Sequence, residues 1–249
     1  MPRTLFITGT GTGIGKTALS LAVLLWGRAR GLRVAYLKPL QCGSNKAVGE
    51  IYGDADWIRD ATLGVAEISE AYAVYTFADS VSPHLAVERA GGWIDPEWIV
   101  EQAEVAARRC ELLVIEGSGG AAVPLNREGT SLADVAALGK WPCLIAALPG
   151  LGTLHHTLTT AHYLKARGAQ IAGFAFVQNN HDVSPLQADN ARTLTDLLEI
   201  PFVGAMPYCP GLGKRLPISP AVAGLLAQAL PGLAAWYDAP PDSPAVNGA

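Results

Sequence analysis

Thr4-Leu5-Phe6-Ile7-Thr8-Gly9-Thr10-Gly11-Thr12-Gly13-Ile14-Gly15-Lys16-Thr17 carries an apolar, strand-like run into a glycine-rich loop, and a helical pattern follows from Lys16 to about Arg30. That order is the context a phosphate-binding loop requires. Glycines let the backbone curl so that successive N–H groups face phosphate oxygens, and the helix N-terminus adds the positive end of its dipole. Lys16 contributes a full charge, while the Thr17 hydroxyl is placed to ligate magnesium. A unit charge ~4 Å away is worth roughly 4 kcal/mol at an effective dielectric near 20, enough to matter for charge developing on a transferred phosphoryl group. The spacing departs from the standard motif, because the nearest upstream glycine, Gly9, makes the loop one residue longer. A tight turn capped by a solvated lysine is the plain alternative, and it leaves Lys16-Thr17 unexplained.

Outward from this loop, strand-like runs alternate with helix-length amphipathic segments, the pattern of an α/β fold with a mostly parallel sheet and helices on both faces. The strands expected are Thr4–Thr8, Arg33–Leu37, Leu112–Ile115, Cys143–Leu148, Ile171–Val177 and Phe202–Ala205. Helices are expected from Lys16 to Arg30, Asp56 to Leu63, Pro96 to Arg109, Thr153 to Arg167, Leu186 to Leu198 and Ala221 to Leu230. The chain reads as one domain over residues 1–237, and the proline-bearing stretch 238–249 as a disordered tail.

Half of the 249 residues are hydrophobic, enough for a sizeable core, and the net charge is only −4. Without a run of Lys or Arg, neither a nucleic-acid surface nor a polybasic membrane patch is suggested, so the partner expected is a small molecule. No stretch is long enough to span a bilayer, and no signal-peptide core stands at the start. Cys42, Cys110, Cys143 and Cys209 lie far apart, which argues against a zinc site or a disulfide framework and fits a reducing cytoplasm.

Other residues extend the candidate site. Lys38, in Leu37-Lys38-Pro39, stands at a carboxyl strand edge, where open α/β sheets bind ligands. Alone it is better explained as a solvated lysine before a proline turn. Glu116 follows the apolar run Leu112–Ile115 and precedes Gly117-Ser118-Gly119-Gly120. An acid capping a buried strand needs a cation to receive it, and magnesium beside Thr17 is one recipient. A carboxylate accepting loop N–H groups is the other reading. Asp54 and Asp56 precede a helix and either caps it or reaches the metal. His155 and His156 sit near a helix start, and a surface role is favoured over metal binding.

These residues together resemble the dethiobiotin synthetase family. The long loop ending in Gly15-Lys16-Thr17, Lys38-Pro39, the run Tyr75 to His84, Val114 to Gly120, Leu151 to Thr157 and Gly204 to Tyr208 are each similar to segments of that family, covering the chain to about residue 210. The resemblance implies a three-layer P-loop NTPase fold and a homodimeric, ATP- and magnesium-dependent ligase. Its members join CO2 to 7,8-diaminononanoate and close the ureido ring of dethiobiotin. It implies catalytic roles for Lys16, Lys38 and Thr12, and nucleotide contacts from Gly13, Ile14, Gly15, Lys16, Thr17 and Ala18. Further nucleotide contacts would come from Asp56, Glu116, Gly117, Ser118, Gly119, Asn179, Pro207, Tyr208 and Cys209. Thr17, Asp56 and Glu116 would hold the metal, and Asp56 is preferred over Asp54 because the helix follows it directly. Thr12, Lys38, Cys42, Leu151, Gly152 and His155 would contact the diamine, the last three from the partner subunit.

The chain departs from the family where Cys42 replaces a hydroxyl and His155 an asparagine, and Asn179 falls about two residues late. The alternative function is a switch-type ATPase of the partitioning or scaffold kind. Such proteins carry an extra lysine early in the loop, where this chain has Gly11.

Overall fold

A computed structural model describes residues 2–43, 52–181, 184–212 and 216–240. Its seven strands are β1 (Arg3–Gly9), β2 (Val34–Cys42), β3 (Ala71–Phe77), β4 (Leu112–Glu116), β5 (Cys143–Ala147), β6 (Ile171–Val177) and β7 (Phe202–Met206). They pair in parallel in the order β3-β2-β4-β1-β5-β6-β7, so the strand that feeds the glycine loop lies at the centre. The helices are α1 (Lys16–Ala29), α2 (Asp54–Thr62), α3 (Pro83–Arg89), α4 (Pro96–Ala107), α5 (Leu132–Leu138), α6 (Thr153–Ala166), α7 (Gln187–Leu198), α8 (Pro220–Gln228) and α9 (Leu233–Asp238).

Alternation along the strands divides the core in two. Phe6, Leu37, Leu113, Ile115, Ile145 and Phe174 pack with residues of α4, α5, α6 and α7. Leu5, Ile7, Tyr36, Leu112, Val114 and Leu144 pack with α1, α2, α8 and α9 on the opposite face. The result is the three-layer α/β architecture expected, with both sheet faces covered as a parallel sheet demands. Among the described residues, no helix is long and apolar enough to cross a membrane.

Several elements differ from expectation. β2 does not stop at Leu37 but runs through Pro39 to Cys42. Its pairing with β4 ends at Leu37–Ile115, and its register with β3 passes from Lys38–Ala73 to Leu40–Tyr75. Pro39, which has no N–H to donate, therefore falls where the ladder asks nothing of it. β3 was not expected. It is an edge strand whose residues are mostly half-buried, so it lacks the solid apolar run of the central strands. The helices α3, α5 and α9 have seven, seven and six residues, too few to show a clear 3.6-residue period. α9 ends at Asp238, where the tail was expected to begin, and residues 241–249 lie outside the described residues.

Leu24 of α1 is fully buried against this second face. Leu24→Ala should cost about 2–5 kcal/mol of stability, read from the urea unfolding midpoint.

Candidate active site

The register of the central strands builds the site. Ile7 pairs with Glu116 and Leu37 with Ile115, so one step further along β2 Lys38 stands beside Glu116, and both stand beside the start of the glycine loop. Gly13 and Gly15 take positive φ values of 75° and 90°, which L side chains rarely adopt. A Cβ at Gly15 would also come within 2.6 Å of Val177 Cγ1, so the end of β6 borders the loop.

Lys16 folds back over this loop and donates to the Gly11 carbonyl at 2.9 Å. Burial lowers its ammonium to about 8, helped by the charge of Lys38 and opposed by Glu116 and Asp54. Glu116, 1% exposed, is saturated with donors. Its Oε1 accepts from Thr17 Oγ1 at 2.9 Å and Lys38 Nζ at 2.7 Å, and its Oε2 from Ser20 Oγ and the Tyr36 hydroxyl, both at 2.9 Å. Lys38 Nζ also lies 2.5 Å from Asp54 Oδ2. Burial alone would push the Lys38 ammonium down, but the charges of Glu116 and Asp54 and the hydrogen bonds to them hold it above the usual lysine range. The ammonium thus serves as the cation between two carboxylates, beside a threonine hydroxyl.

An all-oxygen set of two carboxylates and a hydroxyl suits magnesium, which keeps waters and substrate phosphates in the rest of its shell. Thr17, Asp54 and Glu116 therefore fit that ion, and the positive-φ glycines with Lys16 fit a polyphosphate. Asp56, expected at the metal, is placed elsewhere. Its Oδ2 accepts the Gly53 N–H at 2.8 Å and its other oxygen pairs with Arg59. The helix begins two residues earlier than expected, so Asp54 takes the position facing Lys38 and Asp56 caps the first turn. Gln41 fixes that start by accepting the Asp54 N–H at 3.0 Å.

A cavity of about 440 Å³ opens over this cluster, lined by Thr12, Lys16, Lys38, Leu40, Gln41, Cys42, Ser80–Pro83, Ser118, Gly119 and Val123. Burial raises the Cys42 thiol, despite the Lys38 charge, so it offers a weak neutral donor. Leu151, Gly152 and His155 do not line the cavity; they are exposed at the start of α6, Leu151 to 97%. Asn179 is exposed just past β6, and Pro207, Tyr208 and Cys209 follow β7, with the Tyr208 ring edge-on to His181 at 4.7 Å. A larger open groove, about 880 Å³, lies among α1, α2 and α8. Its guanidiniums are already engaged, Arg28 with Leu32 and Arg59 with Ala71 and Asp56, which leaves Glu67 as its other charged residue. The smaller cavity is the one that brings Lys16 and Lys38 together.

Sequence reasoning passed over Ser20 and Tyr36. Both were open to discovery by periodicity, since Ser20 lies one helical turn beyond Lys16 and Tyr36 two residues before Lys38 on the same strand face.

Fold and loop together define the class: a P-loop α/β protein shaped to handle a phosphorylated ligand. Residues 3–215 match the family described as AAA domain. An ATP-dependent dethiobiotin synthetase of Geobacillus kaustophilus is 33% identical over 218 residues, 86% of this chain and 89% of the relative. One from Anaeromyxobacter dehalogenans is 37% identical over 213 residues, covering 86% and 93%. In solved structures, the septum site-determining protein MinD of Pyrococcus horikoshii, complexed with Mg-ADP, shares the fold at a TM-score of 0.57 and 16% identity, over 91% of this chain and 95% of that one. The chain belongs to the ATP-dependent dethiobiotin synthetase family, a family of ligases.

A lysine whose folded value lies below its unfolded value costs stability at neutral pH, and the cost fades as pH rises from about 8 toward 10.5. Lys16→Met should therefore melt higher than wild type at neutral pH, with the gap narrowing above pH ~8 in thermal melts across that range.

Proposed function

We propose that this chain performs ATP-dependent dethiobiotin synthesis in biotin formation. Its substrates would be CO2 and 7,8-diaminononanoate, and it would close the ureido ring. One observation carries the reading: two buried lysines, Lys16 and Lys38, line one cavity beside a glycine loop, with the strand-end carboxylate Glu116 against Lys38. That arrangement suits transfer of a phosphoryl group to an anionic acceptor, because each lysine can neutralise one of the two repelling partners.

In this scheme the loop N–H groups from Gly13 to Ala18 and the Lys16 ammonium cradle the triphosphate. Thr17, Asp54 and Glu116 would hold magnesium, which when bound supplies charge neutralisation on the phosphates; Asp54 takes the role first expected of Asp56. Lys38 steadies the carbamate formed from one amine and CO2. A carbamate oxygen attacks the γ-phosphorus and ADP leaves. The second amine then attacks the carbonyl carbon of the mixed anhydride, the ring closes and phosphate departs. The protein positions the partners and balances charge rather than forming covalent bonds to them.

Thr12, exposed in the loop, and Cys42 lie on the cavity wall where the diamine would sit, Ser118 and Gly119 line the same cavity, and Gly117 would contact the nucleotide from just before them. Asn179 with Pro207, Tyr208 and Cys209 would flank the base. Leu151, Gly152 and His155 are exposed and would serve a neighbouring subunit in a homodimer, which accounts for their absence from the protomer's own cavity.

ATP turnover should require magnesium, bicarbonate and the diamine together; an equal ATPase rate without the diamine would discard the ligase reading. Lys38→Gln should lower dethiobiotin formation by about 10²–10³-fold, as loss of a charge-stabilising donor does, with the far-UV circular dichroism unchanged. Wild-type product formation by that variant would remove Lys38 from the chemistry.

A further inference from the structure

The two oxygens of Glu116 are not equivalent. Oε1 meets Thr17 and Lys38, and Lys38 lines the cavity. Oε2 points the other way, into the apolar layer between the sheet and α1, where Ser20 and Tyr36 are both fully buried. Ser20 divides its attention, since its Oγ is also 3.0 Å from the Lys16 carbonyl and one proton cannot serve both. The carboxylate is the stronger acceptor. The Tyr36 hydroxyl, among the described residues, bonds only Glu116, at 2.9 Å.

A phenylalanine would fill the same space on β2 and contribute the same packing. The hydroxyl brings a polar atom into a cluster otherwise built from Leu5, Ile7, Leu21, Val34 and Val114, a cost that only the Glu116 contact repays. Tyr36 is too deep to touch a ligand, so whatever it does passes through that carboxylate. Groups that fix the orientation of a metal-binding carboxylate commonly change metal affinity by about 10–100-fold when removed.

We propose that Tyr36, seconded by Ser20, is a positioning residue that clamps Glu116 by Oε2 and so aims Oε1 at the divalent cation beside Thr17. The inference rests on the reading of Glu116 as a magnesium-holding group. It assigns the tyrosine hydroxyl to the reaction without giving it contact with any reactant.

The test is titration of the full chain with Mn2+ as a spectroscopic probe, followed by electron paramagnetic resonance with ADP bound. Tyr36→Phe should weaken Mn2+ binding about tenfold while leaving ADP binding in EDTA unchanged. Ser20→Ala should shift Mn2+ in the same direction, and it carries the test alone should Tyr36→Phe fail to fold. A purely structural role would move the melting temperature but not the Mn2+ affinity. Wild-type Mn2+ affinity in the folded variants would overturn the clamp and leave the metal reading standing. Wild-type protein that adds nothing to the Mn2+ binding of ADP itself would overturn both.

Discussion

A carboxylate with 1% of its surface exposed, at the end of a central strand, is costly to bury unless it is paired and hydrogen-bonded. Glu116 meets that condition with three hydroxyls and an ammonium, drawn from α1 and β2. The constraint acts in both directions. It ties β2 and α1 to the end of β4, and with Asp54 it holds the Lys38 ammonium above the usual lysine range where burial alone would lower it. Removing Glu116 would leave Lys38 with Asp54 alone, and removing Lys38 would leave the Glu116 and Asp54 carboxylates without the cation between them.

Burial affects the two lysines in opposite ways for one reason. Lys38 touches Asp54 and Glu116 directly, and their charges overcome desolvation. Among the described residues, Lys16 has only the Gly11 carbonyl within hydrogen-bond reach, and desolvation wins. The protein therefore holds one cation firmly satisfied and one under-satisfied, and the under-satisfied one arches over the loop. Under the proposed reading, a polyphosphate would relieve the deficit that Lys16 carries.

Most of this frame was legible in the sequence. The strand, glycines, Gly15-Lys16-Thr17 and helix specify one another locally, and the solid apolar runs of β1, β4, β5 and β6 announce strands buried on both faces. What escaped depends on tertiary context. β3 is an edge strand with half-buried residues, and α5 is too short to show a period. The choice between Asp54 and Asp56 turned on a helix start two residues early, inside the usual boundary error, yet it decides which carboxylate meets Lys38. Tyr36 lies inside an expected strand, and only its hydrogen bond to Glu116, a contact across two strands, sets it apart from the apolar residues around it.

Pro39 shows how closely the ladder and the chemistry are joined. A proline at the end of a strand normally signals a turn, and that reading would set Lys38 in solvent. Here β4 ends just where β2 loses its need for a donor, so β2 continues and Lys38 stays inside the sheet edge rather than beyond it. MinD of Pyrococcus horikoshii shares the fold at 16% identity, which says how little of the sheet's outline depends on such details. A strand prolonged by a few residues makes Lys38 an interior counter-ion to Asp54 and Glu116, a detail that the fold alone does not settle.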